Sequence, residues 1–251
     1  MPSAIAMAVG FWPFGEIACR INAVFNYMCA CSSSHTAAMI SFDRTIAVVY
    51  PLKYKSMMTA KIMISICVWI LFNTGSCAIF VGATPWISYD YNEAVCAVTY
   101  SEYLSKVFIY CGCAFCYYIP ALIIGTCNAI ILMQIRRSSK VMSEHITTIK
   151  LLVFEQNMKK RKDMEMRKSI YSMMAIVIVY FFSLTPYSIN KQGKAMTGID
   201  APPWLNYTIT ILMFISSATN PFIYGILRKD YRDGFKKIPR LFREKYYYYC
   251  F

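Results

Sequence analysis

Four stretches of this chain, Ile62 to Tyr89, Val107 to Ile135, Ser169 to Ile189 and Ala201 to Leu227, contain no charged side chain. Each reaches or exceeds the roughly 20 residues an α-helix needs to cross hydrocarbon. A fifth run, Ile21 to Phe42, has no Asp, Glu, Lys or Arg and a single histidine, His35. In lipid a spanning backbone must satisfy its own hydrogen bonds, and runs of this length do so as helices. With 57% hydrophobic residues and a mean hydropathy of +0.41, an all-α membrane protein is the expected class. Ahead of these runs, Met1 to Gly15 is apolar but short, without a basic leader or a small-residue cleavage site. Its Trp12-Pro13-Phe14-Gly15 ending predicts an interfacial turn at the outer end of a truncated span.

Charge is distributed by side. With Arg44 on the inner side, the opposite face carries four of the 26 Lys and Arg residues, Arg20, Lys106, Lys191 and Lys194. It also carries Glu16, Asp90, Glu93, Glu102 and Asp200. Inner loops retain positive charge, so Arg44 is expected to face the cytosol. The net charge of +13 is then topological, drawn to anionic lipid of the inner leaflet, and nucleic acid is not an expected partner. Of the 11 cysteines, nine fall in spans or at the C-terminus, where free thiols pack as small hydrophobes. Cys19 and Cys96 lie on the oxidising face, where a bridge between them would pin the loop Ile87 to Tyr103 over the helices; two unpaired thiols are the alternative.

At this point the ordered motifs resemble the rhodopsin-like (class A) G-protein-coupled receptors. Cys19 precedes Arg44 by 25 residues; Asp43-Arg44-Thr45 stands where Asp-Arg-Tyr is expected, and Pro51-Leu52 follows. Trp69, Pro120, Pro186-Tyr187 and Asn220-Pro221-Phe222-Ile223-Tyr224 come in the order of the family's fourth to seventh helices. The resemblance implies a seven-transmembrane bundle in which helices three to seven and the end of helix two are present. Residues 1–251 would form one receptor domain, incomplete at its N-terminus. Within it, residues 229–243 would be an amphipathic eighth helix on the membrane surface and 244–251 a short tail. Tyr231, Phe235, Ile238 and Phe242 share one face of that helix.

The resemblance implies a plasma-membrane receptor with a cytoplasmic C-terminus that binds an extracellular ligand and signals to a heterotrimeric G protein. It implies no cofactor; a second receptor copy is a further partner. Asp43, Arg44, Asn128, Pro186, Asn220, Pro221 and Tyr224 would form the coupling and switch residues. By matched position, Asn26, Tyr27, Ala30, Cys113, Cys116, Tyr187, Lys191 and Thr210 are candidates for the ligand cavity. Independently of the family, Pro120, Pro186 and Pro221 each remove a helical hydrogen bond and predict kinks. Asn206-Tyr207-Thr208 forms a glycosylation sequon at the outer edge of the last run.

Departures from the family pattern limit these expectations. Asn26 replaces the aspartate with which amine receptors pair a ligand ammonium, and Phe214 replaces the opsin lysine. Leu184 stands where a switch tryptophan is usual, and Asn128 where a tyrosine is. The acid that restrains the inner arginine would fall at Met166, with Glu165 about 100° away round the helix. Basal signalling is expected from such a loosely held arginine. The first helix and the sodium-holding aspartate of the second are absent from the sequence, so a non-signalling fragment that joins full-length receptors is the competing reading. A transporter subunit would need ionisable groups at membrane depth, where His35 has no carboxylate near it. Enzyme chemistry finds no metal-ligand spacing, no Gly-x-Ser-x-Gly and no phosphate loop.

Overall fold

The computed structural model describes residues 2–100, 102–145 and 153–227, with side chains described for most of them. A short helix α1 (Pro2–Val9) leads into α2 (Gly15–Val49), followed by α3 (Tyr54–Met57) and α4 (Ala60–Ala83). A hairpin of β1 (Ile87–Asp90) and β2 (Val95–Val98) precedes α5 (Tyr103–Cys113), a π-turn (Ala114–Tyr118) and α6 (Ile119–His145). Two long helices complete the described chain, α7 (Val153–Thr197) and α8 (Pro203–Leu227).

Local chemistry sets the element ends. Gly10 adopts φ +82° after α1, and its amide donates to the Ala6 carbonyl at 2.9 Å. In the turn that follows, Trp12 Nε1 donates to the Gly15 carbonyl at 2.8 Å and its ring stacks on Tyr89, centroids 5.1 Å apart. The uncharged run continues to Tyr89, but the helix stops at Ala83 and the start of the expected loop, from Ile87, is a strand. The cause is Pro85, whose ring drives the preceding residue out of the helical region; Thr84 has φ −81° and ψ 150°.

Pro120 was expected to kink its helix, and the structure carries a π-turn immediately before it. A π-turn inserts one extra residue into the helical ladder, a geometry suited to a proline that lacks a donor and crowds the carbonyl four positions back. Pro186 lies inside α7.

The bundle is organised around α2, which packs against α4 and α6 and also meets the hairpin, the π-turn, α7 and α8. Its buried positions Cys19, Ala23, Cys31, Ser34, Ala37, Ala38, Ser41 and Ile46 recur at helical spacing and are mostly small. Small residues let helices approach in lipid, where there is no hydrophobic drive between them. At Gly82 of α4 the approach is close enough that a Cβ would collide with the Val24 side chain of α2. Ser32 and the fully buried Thr74 hydroxyl join the same two helices at 3.0 Å.

The outward faces are apolar. Ile64, Val68, Trp69, Leu71, Phe72, Ile79 and Phe80 of α4 are all exposed, a surface that water would not tolerate over such an area and that lipid covers. Among the described residues, Ala60–Ala83 and Tyr103–Arg137 are long and apolar enough to cross a membrane. At about 1.5 Å per residue, the 35 residues of α2 reach beyond a hydrocarbon core of roughly 30 Å. Both its ends therefore stand at an interface.

Candidate functional site

Two sites lie at opposite ends of α2. At the outer end Cys19 is bonded to Cys96 of β2, with Cα atoms 5.4 Å apart. The bridge holds an antiparallel hairpin in the register Ile87↔Val98, Tyr89↔Cys96 and Asp90↔Val95. Beneath the hairpin is a cavity of about 170 Å³ walled by α2, β2, α5, the π-turn, α7 and α8. Of the residues expected there, Asn26, Tyr27 and Ala30 line it from α2 and Cys113 and Cys116 from α5 and the π-turn. Tyr187 and Lys191 line it from α7. Thr210 is buried in α8 but is not among the lining residues.

Cys116 was expected to be a free thiol, as was Cys31. They form a second disulfide, Cα atoms 4.9 Å apart, joining α2 to the π-turn. Uninterrupted helical periodicity cannot foresee this pairing, because the extra residue of the π-turn offsets the face that follows by about 100°.

The hairpin is also held by charge. Lys194 of α7 lies 2.9 Å from Asp90 Oδ2 and 2.5 Å from Asp200 Oδ1, with its ammonium 4.6 Å from the Tyr100 ring centroid. The Asn92 amide donates to Asp90 Oδ1 at 2.8 Å, and Tyr207 of α8 donates to the Tyr91 carbonyl at 2.9 Å. Burial alone would raise the Asp90 carboxyl, but the hydrogen bond and charge of Lys194 outweigh it and hold the group below the usual carboxylate range. Lys194 moves the opposite way: burial would lower it, and its bonds to Asp200 and Asp90 raise it above an ordinary lysine. Closer in, Lys191 Nζ lies 2.5 Å from Glu93 Oε2, with both residues buried. The sequon asparagine, Asn206, is 1% exposed; its amide donates to the Ala201 carbonyl and accepts from Asn190 at 2.7 Å. That side chain is closed to a glycosylating enzyme in the folded protein.

Below the cavity, Tyr117 and Thr185 share a hydrogen bond of 2.6 Å, and Tyr180 donates to the Tyr117 carbonyl at 3.3 Å. These bonds join the π-turn to α7, the one to Thr185 a single residue before Pro186. Tyr117, Tyr180 and Ile124 pack there with Ala37 and Ala38 of α2, and Leu184 rests against them.

At the inner end Asp43 is buried, and Arg44 Nε stands 3.1 Å from its Oδ2. Tyr54 of α3 donates to Asp43 Oδ1 at 2.8 Å, so the acid is shared between its neighbour and the inner loop. Thr45 donates to the Ser41 carbonyl and to the Cys127 carbonyl of α6 at 3.3 Å. Asn128 is buried; it donates to the Ile124 carbonyl at 2.7 Å and approaches the Ser41 hydroxyl at 3.5 Å. Asn220, Pro221 and Tyr224 fall within α8, their side chains outside the described set, as are those of Glu165 and Met166. The amphipathic segment 229–243 and the tail 244–251 lie outside the described residues.

Sequence reasoning missed Glu93, Tyr100, Tyr117, Ser188 and Met213. The last four line the cavity and the first braces it. Glu93 had one signal, an acid beside the outer cysteine; the others lie in apolar or aromatic surroundings that mark no face.

A helical membrane bundle with a disulfide-pinned hairpin over an outer cavity, and an Asp-Arg pair at the inner end of the same helix, is the architecture of a seven-transmembrane receptor. The model of the family "7 transmembrane receptor (rhodopsin family)" matches residues 1–224, and the chain belongs to that family. A crystal structure of squid rhodopsin aligns with 96% of this chain and 69% of that one, at a TM-score of 0.77 and 20% sequence identity. That is a likeness of fold.

Proposed function

We propose that this protein is a plasma-membrane receptor that binds a small extracellular ligand in the cavity and passes the signal to a heterotrimeric G protein at its inner face. Family and fold support a signalling role in place of an enzymatic one. The observation that carries the reading is that one continuous helix, α2, lines the cavity with Asn26, Tyr27 and Ala30 and ends in Asp43 and Arg44. A change in packing at the outer end therefore has a rigid element through which to bias the inner one. Arg44 would meet the G protein, its head reaching the wet interface; Asn128, Pro186, Asn220, Pro221 and Tyr224 would form the switch between the two ends. The C-terminus would lie in the cytoplasm.

Arg44 is held by Asp43 on its own helix and by Tyr54 only indirectly, so basal activity is part of the reading. The test is nucleotide exchange by purified G proteins on the full chain in lipid nanodiscs. The expected result is exchange above the rate of empty nanodiscs that Arg44→Ala lowers by about tenfold, some 1.4 kcal/mol of coupling. Exchange no faster than the Arg44→Ala control, with G proteins of every class, would overturn the proposal.

A further inference from the structure

Lys191 is the one cation among the residues lining the cavity. Its ammonium lies 5.5 Å from the ring centroids of both Tyr100 and Tyr187 and 2.5 Å from Glu93 Oε2. Glu93 does not line the cavity. It reaches Lys191 from the hairpin turn, next to Ala94 in the left-handed region at φ 54°, and is 1% exposed.

This counter-ion is poorly satisfied. Among the described residues Glu93 meets Lys191 through Oε2 while its Oε1 has no hydrogen bond, and the buried hydroxyl of Tyr100, which also lines the cavity, faces the same ammonium. A buried carboxylate offsets its desolvation only when hydrogen bonds accompany the ion pair. Glu93 engages Lys191 through one oxygen and leaves the other without a partner, and the Tyr100 hydroxyl is beside the same ammonium. The remaining lining is largely apolar, with Val98, Phe108, Met213 and Phe214. The cavity's 170 Å³ is below the roughly 300–1,000 Å³ of drug-sized sites.

We infer that the cavity takes a small monocarboxylate with an apolar or aromatic body, whose carboxylate replaces Glu93 at Lys191 and accepts a hydrogen bond from the Tyr100 hydroxyl. Its body lies against Phe108, Met213 and Phe214. A cationic ligand would meet Lys191 with like charge, and a neutral amide leaves Glu93 in place. Binding frees the hairpin turn from α7 at Glu93, while Lys194 still holds Asp90. This names the ligand class for the receptor proposed above, and only its signalling consequence rests on that reading.

The experiment uses the full chain in lipid nanodiscs and follows thermal unfolding against hexanoate, benzoate, phenylacetate and 3-phenylpropionate, each beside its amide and the amine of matching length. At least one acid is expected to raise the midpoint saturably while its amide and amine do not. Glu93→Gln removes the internal competitor and is expected to tighten the apparent Kd about tenfold. The double variant Lys191→Met with Glu93→Gln removes both charges together, keeps a cooperative transition and loses the response to acid. No acid shifting the midpoint, an amide matching its acid, Glu93→Gln binding no tighter, or the double variant responding like the parent would each overturn the inference. Nucleotide exchange in the same nanodiscs separates the two proposals. Acid binding without Arg44-dependent exchange removes the receptor reading alone, and Arg44-dependent exchange without acid binding removes the ligand class alone.

Discussion

Asp43 illustrates how one side chain can serve two partners. Its carboxylate faces Arg44 with one oxygen and takes the Tyr54 hydroxyl on the other, so Tyr54→Phe removes the second contact and keeps the one to Arg44. The expected cost is about 1 kcal/mol, the net worth of a hydrogen bond to a partly buried group, read as a lower unfolding midpoint in nanodiscs. Asn206 is a stricter case, because both ends of its amide are engaged in a buried site. Asn206→Ala leaves Asn190 unpaired and is expected to cost about 1–3 kcal/mol; the wild-type protein from a glycosylating host is expected to keep its mass on treatment with a glycosidase that cleaves N-linked sugars. The sequon was visible in the sequence, but its burial was not, since that depends on how the Asn190 amide of α7 and the nearby Ala201 carbonyl close over it. Lys191 was likewise legible as an outer cation. Its partner was not, because Glu93 reaches it only after the hairpin has been folded back by the Cys19–Cys96 bridge.

Elements were legible where a single physical cause set them. Uncharged length alone foretold the long helices, and the left-over turn at Trp12 followed from its proline and glycine. The hairpin was hidden because hydropathy does not distinguish the end of a membrane helix from a buried strand, and the breaker, Pro85, sits inside one apolar run. The π-turn and the Cys31–Cys116 bond were hidden for a different reason: periodicity assumes the very register that the extra residue breaks. Gly82 of α4 packs so closely on Val24 of α2 that an added Cβ would collide with it. Valine is stiff at χ1 and cannot swing aside, so Gly82→Ala is expected to destabilise by about 1–3 kcal/mol through overpacking. Adding Val24→Ala is expected to recover much of that loss, a coupling that a double-mutant cycle on unfolding midpoints measures.

At the scale of the whole molecule, the outer face is fastened by charge in a way that fixes its response to pH. Asp90 titrates below its unfolded value of about 3.9, so its contribution is complete above that value and is lost as pH falls through the lower folded one. Lys194 titrates above its unfolded value of about 10.4; its contribution is complete below that value and is lost as pH rises through the higher folded one. Between about pH 5 and 9 this cluster therefore adds no slope to stability. The check is the difference in midpoint between wild type and Lys194→Met, expected to stay constant across that window and to shrink on the acid side. The family and the bundle were legible from motif order, and among the fastenings on the outer face so was the Cys19–Cys96 bridge; the ionic ones to the hairpin were not, because Lys191 and Lys194 meet Glu93 and Asp90 across a long stretch of chain.

Those fastenings are of two kinds, and the distinction assigns mechanical parts. Bonds that do not exchange, Cys19–Cys96 and Cys31–Cys116, both end on α2 and make its outer half a fixed post. What secures α7 to the hairpin is ionic, Lys191 to Glu93 and Lys194 to Asp90, and an ion pair, unlike a disulfide, can part without a covalent bond breaking. In the receptor proposed above, α2 would be the stator and α7 the arm that moves against it, with Lys191 and Lys194 as the latch.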